Sequence, residues 1–229
     1  ATVCDFRTQD VQLGGQGAPL VPIGDQLLFS EYDACLNLGG FANISIHDKG
    51  KRIAYDICPV NVMLNYWAQQ LGVPYDKNGQ MAQKGVISKS LLKILESLPF
   101  YSEKPPKSLG IEFVETTVMP IVKNKTLSPQ DCLSTWVAHC AIRISAELSS
   151  DKNQRTLVTG GGAFNAFLIE QLKEKTTSQL VIPNPLLVNY KEALIFALLG
   201  LLKIIGKDNC LASVTGATRN HSSGKIFIP

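Results

Sequence analysis

The stretch LNLGGFANISIHDKGKRIAYDI, residues 36–57, decides the fold because it contains two hairpin turns in direct succession. The first turn is Gly39–Gly40, and the second lies within the segment HDKGKR, residues 47–52. Runs of alternating apolar residues separated by short glycine-containing turns predict antiparallel strands. We therefore expect three neighbouring strands: one before the Gly-Gly turn, one after it, and one over Ile53–Ile57.

Helices and strands alternate after this double hairpin. Pro59 is expected to open a helix that ends at Gly72, and Ser128 followed by Pro129 has the cap and first residue of a long helix. The segment RTLVTGGGAFNAFLIEQLKEK predicts a strand, a glycine turn and a helix. A short strand over 180–182 and a last helix over 191–205 complete the series. This order is that of an α/β, ribonuclease-H-like lobe, with a mixed sheet flanked by helices.

The composition excludes several classes of protein. Apolar residues make up 45% of the 229 residues, charged residues 18%, and the formal net charge of +3 comes from scattered Lys and Arg, so no nucleic-acid partner is expected. The longest apolar run, residues 193–202, is shorter than the roughly 18–20 residues that span a bilayer, so it predicts a buried helix and no membrane association. The six cysteines contain no CxxC pair, which favours reduced core thiols and a cytoplasmic location.

Two glycine turns follow predicted strands and suit an anion site. The turn in NLGGFAN joins two strands, and it is either a small nest of backbone amides or a plain β-turn. The turn in VTGGGAFN joins a strand to a helix, and it either directs helix N-terminal amides at a ligand or allows close packing. It has neither the spacing of a dinucleotide fingerprint nor the lysine of a P-loop. In one lobe, the hairpin would hold phosphate and the second turn would lie under adenosine.

Three carboxylates are candidates for chemistry. Asp10 is close to Gly14, Gly15 and Gly17, where it is either a general base beside a ligand-binding turn or an ordinary turn aspartate. Asp56 is expected to end the third strand and to reach a cleft, where it would bind magnesium through the water molecules of the ion. Glu192 is expected to open the last helix, where it either complements the helix dipole or belongs to the site.

Eight motifs occur in collinear order over nearly the whole chain. They are DFRTQDVQLGGQGAPLVPIGDQLLF, LNLGGFANIS, YDICPVN, YDKNGQMAQKG, PPKSLG, VTGGGAFN, KEALIFALLG and SVTGAT. Together they resemble the anhydro-N-acetylmuramic acid kinases, a family within the actin, sugar kinase and heat-shock ATPase superfamily. The resemblance implies an enzyme that uses ATP and water to open 1,6-anhydro-N-acetylmuramic acid and phosphorylates its 6-oxygen. The product would be N-acetylmuramic acid 6-phosphate from recycled cell wall.

The resemblance also implies roles for single residues. Asp10 matches the general base, with a pKa raised by a cleft that excludes solvent, and Glu192 matches a glutamate that orients the water or the sugar. The implied sugar-binding residues are Gly14, Gly15, Gln16 and Gly17. The implied ATP-binding residues are Asn37, Gly39, Gly40, Asn43, Thr159, Gly160, Gly161, Gly162 and Asn165. Asp56 is the candidate Mg²⁺ residue.

The chain departs from the family pattern in two places. The turn after the third strand reads ICPVN where the family usually has a TGPGN-like turn, and Asn65 stands where many members carry aspartate. The GTSxDG phosphate hairpin of the first lobe is absent. We therefore expect residues 1–30 to be the tail of a first lobe and residues 31–229 to be a second lobe, with a helical insertion around 75–127. Such a chain would carry half of a nucleotide site, and it would be either part of an active enzyme or a catalytically inactive remnant.

The alternative function is an actin-like ATP-binding chaperone or scaffold module without sugar chemistry. Both functions use the two nucleotide turns, but only the kinase needs Asp10, the GGQGAP turn and Glu192, so these residues favour the kinase. The expected partners are the anhydro amino sugar and ATP, and the apolar helices would also suit a homodimer.

Overall fold

Within residues 1–123, 126–148 and 153–228, which the computed structural model describes, seven strands form two sheets. The strands are β1 (Thr2–Cys4), β2 (Ala34–Leu38), β3 (Phe41–Asp48), β4 (Lys51–Pro59), β5 (Arg155–Thr159), β6 (Gln179–Val181) and β7 (Lys225–Phe227). The larger sheet has the order β4-β3-β2-β5-β6, in which β3 is antiparallel to β2 and β4, whereas β5 lies parallel to β2 and β6. The two predicted hairpins and the mixed sheet are therefore confirmed.

Helices cover both faces of this sheet. They are α1 (Thr8–Gln12), α2 (Pro22–Leu28), α3 (Asn61–Gln70), α4 (Lys89–Glu96), α5 (Ile111–Phe113), α6 (Met119–Lys123), α7 (Pro129–Glu147), α8 (Ala166–Lys175), α9 (Pro185–Ile204) and α10 (Ala212–Thr215). The predicted cap of α7 is confirmed, because Ser128 Oγ accepts a hydrogen bond of 3.1 Å from the Asp131 N–H and Pro129 is the first helical residue. Residues 124–125 of the predicted insertion lie outside the described residues.

The alternation of β2 divides the core into two parts. Leu36 and Leu38 point to one face and pack with α3, α4, α7 and α8, where Trp136 is among the largest buried side chains. Cys35 points to the other face and packs with Leu157 and with apolar residues of α2 and α9. This second face is less fully covered, and the cavity described below opens on it.

Two predicted helix starts are wrong. Pro59 is the last residue of β4, and α3 begins only at Asn61. The last helix begins at Pro185 and not at residue 191, because the Asn184 side chain caps it by accepting a hydrogen bond of 2.9 Å from the Leu187 N–H. Glu192 therefore lies in the third turn of α9, and the expectation that it opens this helix and complements its dipole is wrong.

Helix α9 is buried on one side only, so the prediction that residues 193–202 form a buried helix is half correct. Ile195, Leu199 and Leu202 are buried, whereas Leu201 and Ile204 are more than half exposed. Among the described residues, this is the one helix whose length and apolar composition would allow it to cross a membrane, a test that the core helices of many proteins also pass.

The two ends of the described chain lie together. Strands β1 and β7 pair antiparallel, with Thr2 opposite Phe227, and Lys225 Nζ lies 2.7 Å from Asp5 Oδ2. The C-terminal segment also contacts the glycine-rich loop after α1, because the Gln16 N–H donates to the Thr215 carbonyl at 2.9 Å. Residues 1–30 thus pack against α9 through apolar side chains and are hydrogen-bonded to the C-terminal segment.

Candidate active site

An open cavity of about 680 Å³ lies on the face of the sheet that carries Asn37, Asn43 and Asp56. Its other walls come from the loop over residues 16–22, the loop over residues 106–109 and the side of α9. Segments that are far apart in sequence therefore meet at one concave surface, which is the usual setting of a small-molecule site.

Half of the predicted site residues line this cavity. They are Gln16, Asn37, Gly39, Asn43, Asp56, Thr159, Gly160 and Glu192. The predicted residues that lie outside its lining are Asp10, Gly14, Gly15, Gly17, Gly40, Gly161, Gly162 and Asn165. Both predicted nucleotide turns and the predicted sugar loop thus contribute to one cavity, each through part of its residues.

The two glycine turns pack against each other at the carboxyl ends of the neighbouring parallel strands β2 and β5. Asn37 is opposite Asn43 on β3 and opposite Thr159 on β5, so these three polar residues form a row across three adjacent strands. Gly160 has φ +83°, and a Cβ there would come within 2.5 Å of Asn37 Oδ1 and 2.8 Å of the Leu38 carbonyl. Glycine is required at this position because the backbone is left-handed and the neighbouring turn leaves no space.

Asn61 is hydrogen-bonded to the first glycine turn and lies close to the second. Its Nδ2 donates to the Leu38 carbonyl at 3.0 Å, and its backbone N–H donates to Gly39 at 3.2 Å. A Cβ on Gly161 would lie 3.7 Å from the same side-chain nitrogen. The start of α3 therefore fixes the shape of the hairpin turn.

Asn165 is used as a helix cap. Its Oδ1 accepts a hydrogen bond of 3.1 Å from the Leu168 N–H at the start of α8, and its side chain packs directly on Gly79. Asn165 is 8% exposed, so its amide nitrogen has little accessible surface. This position gives the predicted contact with adenosine little support.

Asp10 is enclosed by hydrogen-bond donors. Its Oδ2 accepts from the Gly17 N–H at 2.7 Å, and its Oδ1 accepts from the Thr215 hydroxyl at 2.7 Å and from the Cys210 thiol at 3.1 Å. Burial acts to raise the pKa of Asp10, but the hydrogen bonds from Thr215, Cys210 and Gly17 outweigh it and hold the pKa below its ordinary value. The expectation of a raised pKa at Asp10 is therefore wrong.

Asp56 lies inside β4 and not at its end as predicted, and it lines the cavity. Its Oδ2 accepts a hydrogen bond of 2.8 Å from the Leu109 N–H, while its own N–H donates to the Lys107 carbonyl at 3.1 Å. Burial raises the pKa of Asp56, and the hydrogen bond from Leu109 offsets this only in part. The strand and the loop together hold the carboxylate in place at the cavity wall.

Four charged residues of the cavity wall were missed by the sequence analysis: Arg7, Asp25, Lys107 and Lys191. Lys191 Nζ lies 2.6 Å from Asp25 Oδ1, and both side chains are almost completely buried. Asp25 and Lys191 are far apart in sequence, so no local pattern could have paired them. All four residues lie inside quoted motifs, which was a usable signal: Arg7 and Asp25 in the first motif, Lys107 in PPKSLG and Lys191 in KEALIFALLG.

Glu192 and Asp56 are the two carboxylates of this wall without a cationic partner. Within the described parts of the chain, neither has a Lys, Arg or His nitrogen within 4.0 Å, whereas Asp25 is paired with Lys191. Glu192 is exposed and Asp56 is partly exposed. Two unpaired carboxylates at one cavity match the donor set that holds Mg²⁺, which is usually bound by one or two carboxylates together with substrate phosphates.

Comparison with known families gives a match over the whole chain, residues 1–229, to the family described as anhydro-N-acetylmuramic acid kinase. The chain belongs to this family. Proteins named anhydro-N-acetylmuramic acid kinase are similar in Saccharophagus degradans, with 36% identity over 100% of this chain and 65% of that protein, and in Vibrio cholerae, with 35% identity over the same shares. The chain thus spans about 65% of the length of these curated relatives.

Two solved structures have a weak likeness to this member of the kinase family. The activator of the 2-hydroxyisocaproyl-CoA dehydratase from Clostridium difficile with bound ADPNP has 16% identity and a TM-score of 0.44, over 74% of this chain and 60% of that one. The Acidaminococcus fermentans (R)-2-hydroxyglutaryl-CoA dehydratase component A has 17% identity and a TM-score of 0.46, over 76% and 63%. These values are too low to bear on function.

The ICPVN turn, which departs from the pattern expected for the family, is filled by buried side chains. Cys58 and Val60 have no exposed surface. The Pro59 carbonyl accepts hydrogen bonds from the Trp136 indole at 2.9 Å and from the Cys140 thiol at 3.4 Å. These hydrogen bonds attach the turn to α7. The ICPVN turn therefore buries side chains against α7, whereas a glycine turn would leave its backbone exposed.

Proposed function

We propose that this chain supplies part of an ATP-dependent kinase that opens 1,6-anhydro-N-acetylmuramic acid with water and phosphorylates the freed 6-oxygen. Family membership supports the reaction class, and one observation supports the use of this cavity. One cavity is lined by residues of the predicted sugar loop and of both predicted nucleotide turns. The two unpaired carboxylates, Asp56 and Glu192, line the same cavity. The product would be N-acetylmuramic acid 6-phosphate, an intermediate of cell-wall recycling.

The reaction needs a base because one proton is left over. Water adds its oxygen to the anomeric carbon while the bond from that carbon to the 6-oxygen breaks. The 6-oxygen then takes the γ-phosphoryl group of ATP instead of a proton, so ADP and a sugar phosphate form and one proton of the water must be removed. A carboxylate within hydrogen-bond reach of that water, with a pKa closer to neutrality, is suited to this role.

The geometry favours Asp56 over Asp10 as that base. Asp56 lines the cavity and has a pKa raised by burial, so its basicity is better matched to neutral pH. Asp10 has no exposed surface, and hydrogen bonds occupy both of its oxygens. We therefore move the role that the family resemblance gave to Asp10 onto Asp56, and we keep Glu192 as the residue that orients the water or the sugar.

The nucleotide would lie at the two glycine turns. Asn37, Asn43 and Thr159 place polar side chains there, next to the glycines that allow a close approach of phosphate. Mg²⁺, when bound, would neutralise charge on the phosphates of ATP. Glu192, the unpaired carboxylate that the base role leaves free, is the residue near which it would be held, through its water molecules.

The cytoplasm is the proposed location, since all six cysteines are free thiols and ATP is the proposed phosphate donor. Cys4 is exposed, and the other five cysteines are buried. A reducing compartment would keep all of them in this state.

The first experiment compares Asp56→Asn with Asp10→Asn in this chain joined to the remaining third of the family length. ADP release would be measured with 1,6-anhydro-N-acetylmuramic acid, and the product identified by mass spectrometry. We expect Asp56→Asn to lose about 10²–10⁴-fold in turnover while it retains nucleotide affinity and its melting temperature. Asp10→Asn should instead lower the melting temperature, because it weakens a buried hydrogen-bond cluster.

The opposite pattern would reassign the base. Full turnover in Asp56→Asn, with turnover lost in a normally folded Asp10→Asn, would return the role to Asp10. Nucleotide binding without any turnover of the sugar would instead support an ATP-binding module without sugar chemistry.

A further inference from the structure

Three buried side chains of metal-binding type lie together, away from the residues that line the cavity. Asp10 comes from α1, and Cys210 and His221 come from the C-terminal segment. Cys210 and His221 are opposite each other in an antiparallel β-bridge, with the Cys210 N–H donating to the His221 carbonyl at 3.1 Å. Their ligand atoms and one oxygen of Asp10 all lie within 4.8 Å of one another, and all three residues are buried.

The distances in this cluster suit a tetrahedral zinc ion. Zinc bonds of about 2.3 Å to sulfur, 2.0–2.1 Å to nitrogen and 2.0–2.2 Å to oxygen place neighbouring ligand atoms roughly 3.3–3.6 Å apart. The Cys210 sulfur lies 3.1 Å from Asp10 Oδ1, and His221 Nε2 lies 3.5 Å from the same oxygen. These two distances are within about half an ångström of the zinc values. The Cys210 sulfur and His221 Nε2 lie within 4.8 Å of each other, so these two ligands would have to move towards each other on binding.

The imidazole of His221 gives a second and independent indication. Its Nδ1 lies 3.1 Å from the Arg219 carbonyl, which can only accept, so Nδ1 is the donor of that hydrogen bond and Nε2 is the ring nitrogen left to bind a metal ion. Nε2 is buried without a hydrogen-bond partner among the described residues, and it faces a carboxylate oxygen that also has lone pairs. A metal ion between Nε2 and this oxygen would bind both atoms, with the Nδ1 hydrogen bond fixing the orientation of the ring.

We propose that Asp10, Cys210 and His221 bind one zinc ion. A thiol, an imidazole and a carboxylate together form a donor set that zinc prefers over magnesium or calcium. Binding replaces the thiol proton of Cys210, so that one proton is released for each ion bound and no oxidant or reductant is needed. The hydroxyl of Thr215 lies beside this cluster, 2.7 Å from Asp10 Oδ1.

The ion would attach the C-terminal segment to α1 and to the glycine-rich loop. The Gln16 N–H already donates to the Thr215 carbonyl at 2.9 Å, and the Thr218 N–H donates to Leu13 at 3.0 Å. Gln16 lines the cavity, so the metal would fix one wall of it from behind. The inference does not depend on the proposed kinase activity.

The experiment uses the chain without any affinity tag, unfolded in a chelator and refolded with or without Zn²⁺, because a closed site must be loaded before the C-terminal segment folds back. Bound zinc would be counted by mass spectrometry after gel filtration. Co²⁺ would be used as a coloured substitute, whose near-ultraviolet charge-transfer band reports a thiolate ligand. The variants are Cys210→Ser, which keeps a hydroxyl donor for Asp10, and His221→Gln. The matched controls are Cys132→Ser, at a buried cysteine of α7, and His47→Gln, at a histidine of β3 outside the cluster.

We expect one zinc per chain, a cobalt–thiolate band, and a melting temperature raised by roughly 5–10 °C at a hundredfold excess of Zn²⁺ over Kd. Both cluster variants should lose all three effects, and both controls should keep them. Zinc effects that persist in Cys210→Ser would overturn the proposal. If the cluster variants do not fold, the unmodified chain still decides the matter, because a cobalt complex without a thiolate band, or no zinc retained, also overturns it.

Discussion

The buried pair Lys191–Asp25 is expected to be strongly coupled, and a double-mutant cycle measures this coupling directly. Lys191 Nζ lies 2.6 Å from Asp25 Oδ1, with 7% and 3% of the two side chains exposed. The lysine ammonium is the only polar partner recorded for that oxygen in the described part of the chain. At 2.6 Å and an effective dielectric constant of about 20, the attraction is about 6 kcal/mol, which must offset several kcal/mol of desolvation for each ion.

Lys191→Met leaves the Asp25 carboxylate buried without a counter-charge. Breaking such a pair costs about 3–5 kcal/mol, and we expect the lower end because the cavity can supply water to Asp25. A loss of about 3 kcal/mol lowers the melting temperature of a chain of this length by roughly 6–12 °C. The double variant Asp25→Asn, Lys191→Met removes both charges and should lie within about 1 kcal/mol of the unmodified chain.

Urea denaturation of the four proteins gives the coupling energy, which we expect to exceed about 2 kcal/mol. The control is the exposed pair Lys225–Asp5, with nearly the same separation of 2.7 Å but 61% of the lysine side chain exposed. Lys225→Met should have a much smaller effect, because solvent screens this pair. A cost below about 1 kcal/mol for Lys191→Met, or single effects that add up to the double effect, would refute the reasoning.

Two further predictions concern the stability of the fold. One tests the glycine turn at Gly160, and the other tests how the melting temperature falls at acid pH. Gly160→Ala should lower the free energy of unfolding by about 1–2 kcal/mol for the left-handed backbone and by about 1–3 kcal/mol more for overlap with Asn37. The control Gly206→Ala, with φ +67° and open space, should lose only the first of these two amounts. Equal urea midpoints for the two variants would contradict this prediction. The hydrogen bond from Lys225 is the main cause that lowers the pKa of Asp5 from 3.8 to about 2, so the ionised form stabilises the fold above pH 3.8 and this contribution is lost as the pH falls towards 2. Asp5→Asn should therefore flatten the fall in melting temperature over that window, and an unchanged slope would count against the ion pair.

The sequence predicted the elements whose signals are local. The double hairpin follows from alternation and from two glycine turns, and the start of α7 follows from Ser128 and Pro129. The same signal, a cap residue followed by proline, is present at Asn184–Pro185 and could have located the start of α9. Pro59 misled because a proline suits both the first residue of a helix and the end of a strand.

The parts of the site that the sequence could not predict depend on contacts between distant segments. Asp25 and Lys191 come together because α2 packs on α9, where Gly24 has no room for a Cβ against Ile195. No local pattern records this contact. Six of the eight predicted residues of the cavity wall belong, in contrast, to motifs that end a strand or form a loop, positions where folds of this class place ligands. The other two are Asp56, inside β4, and Glu192, inside α9.

The two aspartates show why glycine density beside a carboxylate is an ambiguous signal. A Cβ on Gly15 would overlap the Asp10 carboxylate, and the Gly17 N–H is hydrogen-bonded to it, so these glycines make room for a buried anchor. Asp56 has no glycine beside it in sequence, yet a strand and a separate loop hold it at the cavity with one oxygen bonded to Leu109. A catalytic carboxylate needs exposure to its substrate and a pKa near the working pH, and burial against donors removes both. The glycines therefore explain how Asp10 is enclosed, and the position of Asp56 at the cavity is the reason why we propose it as the base.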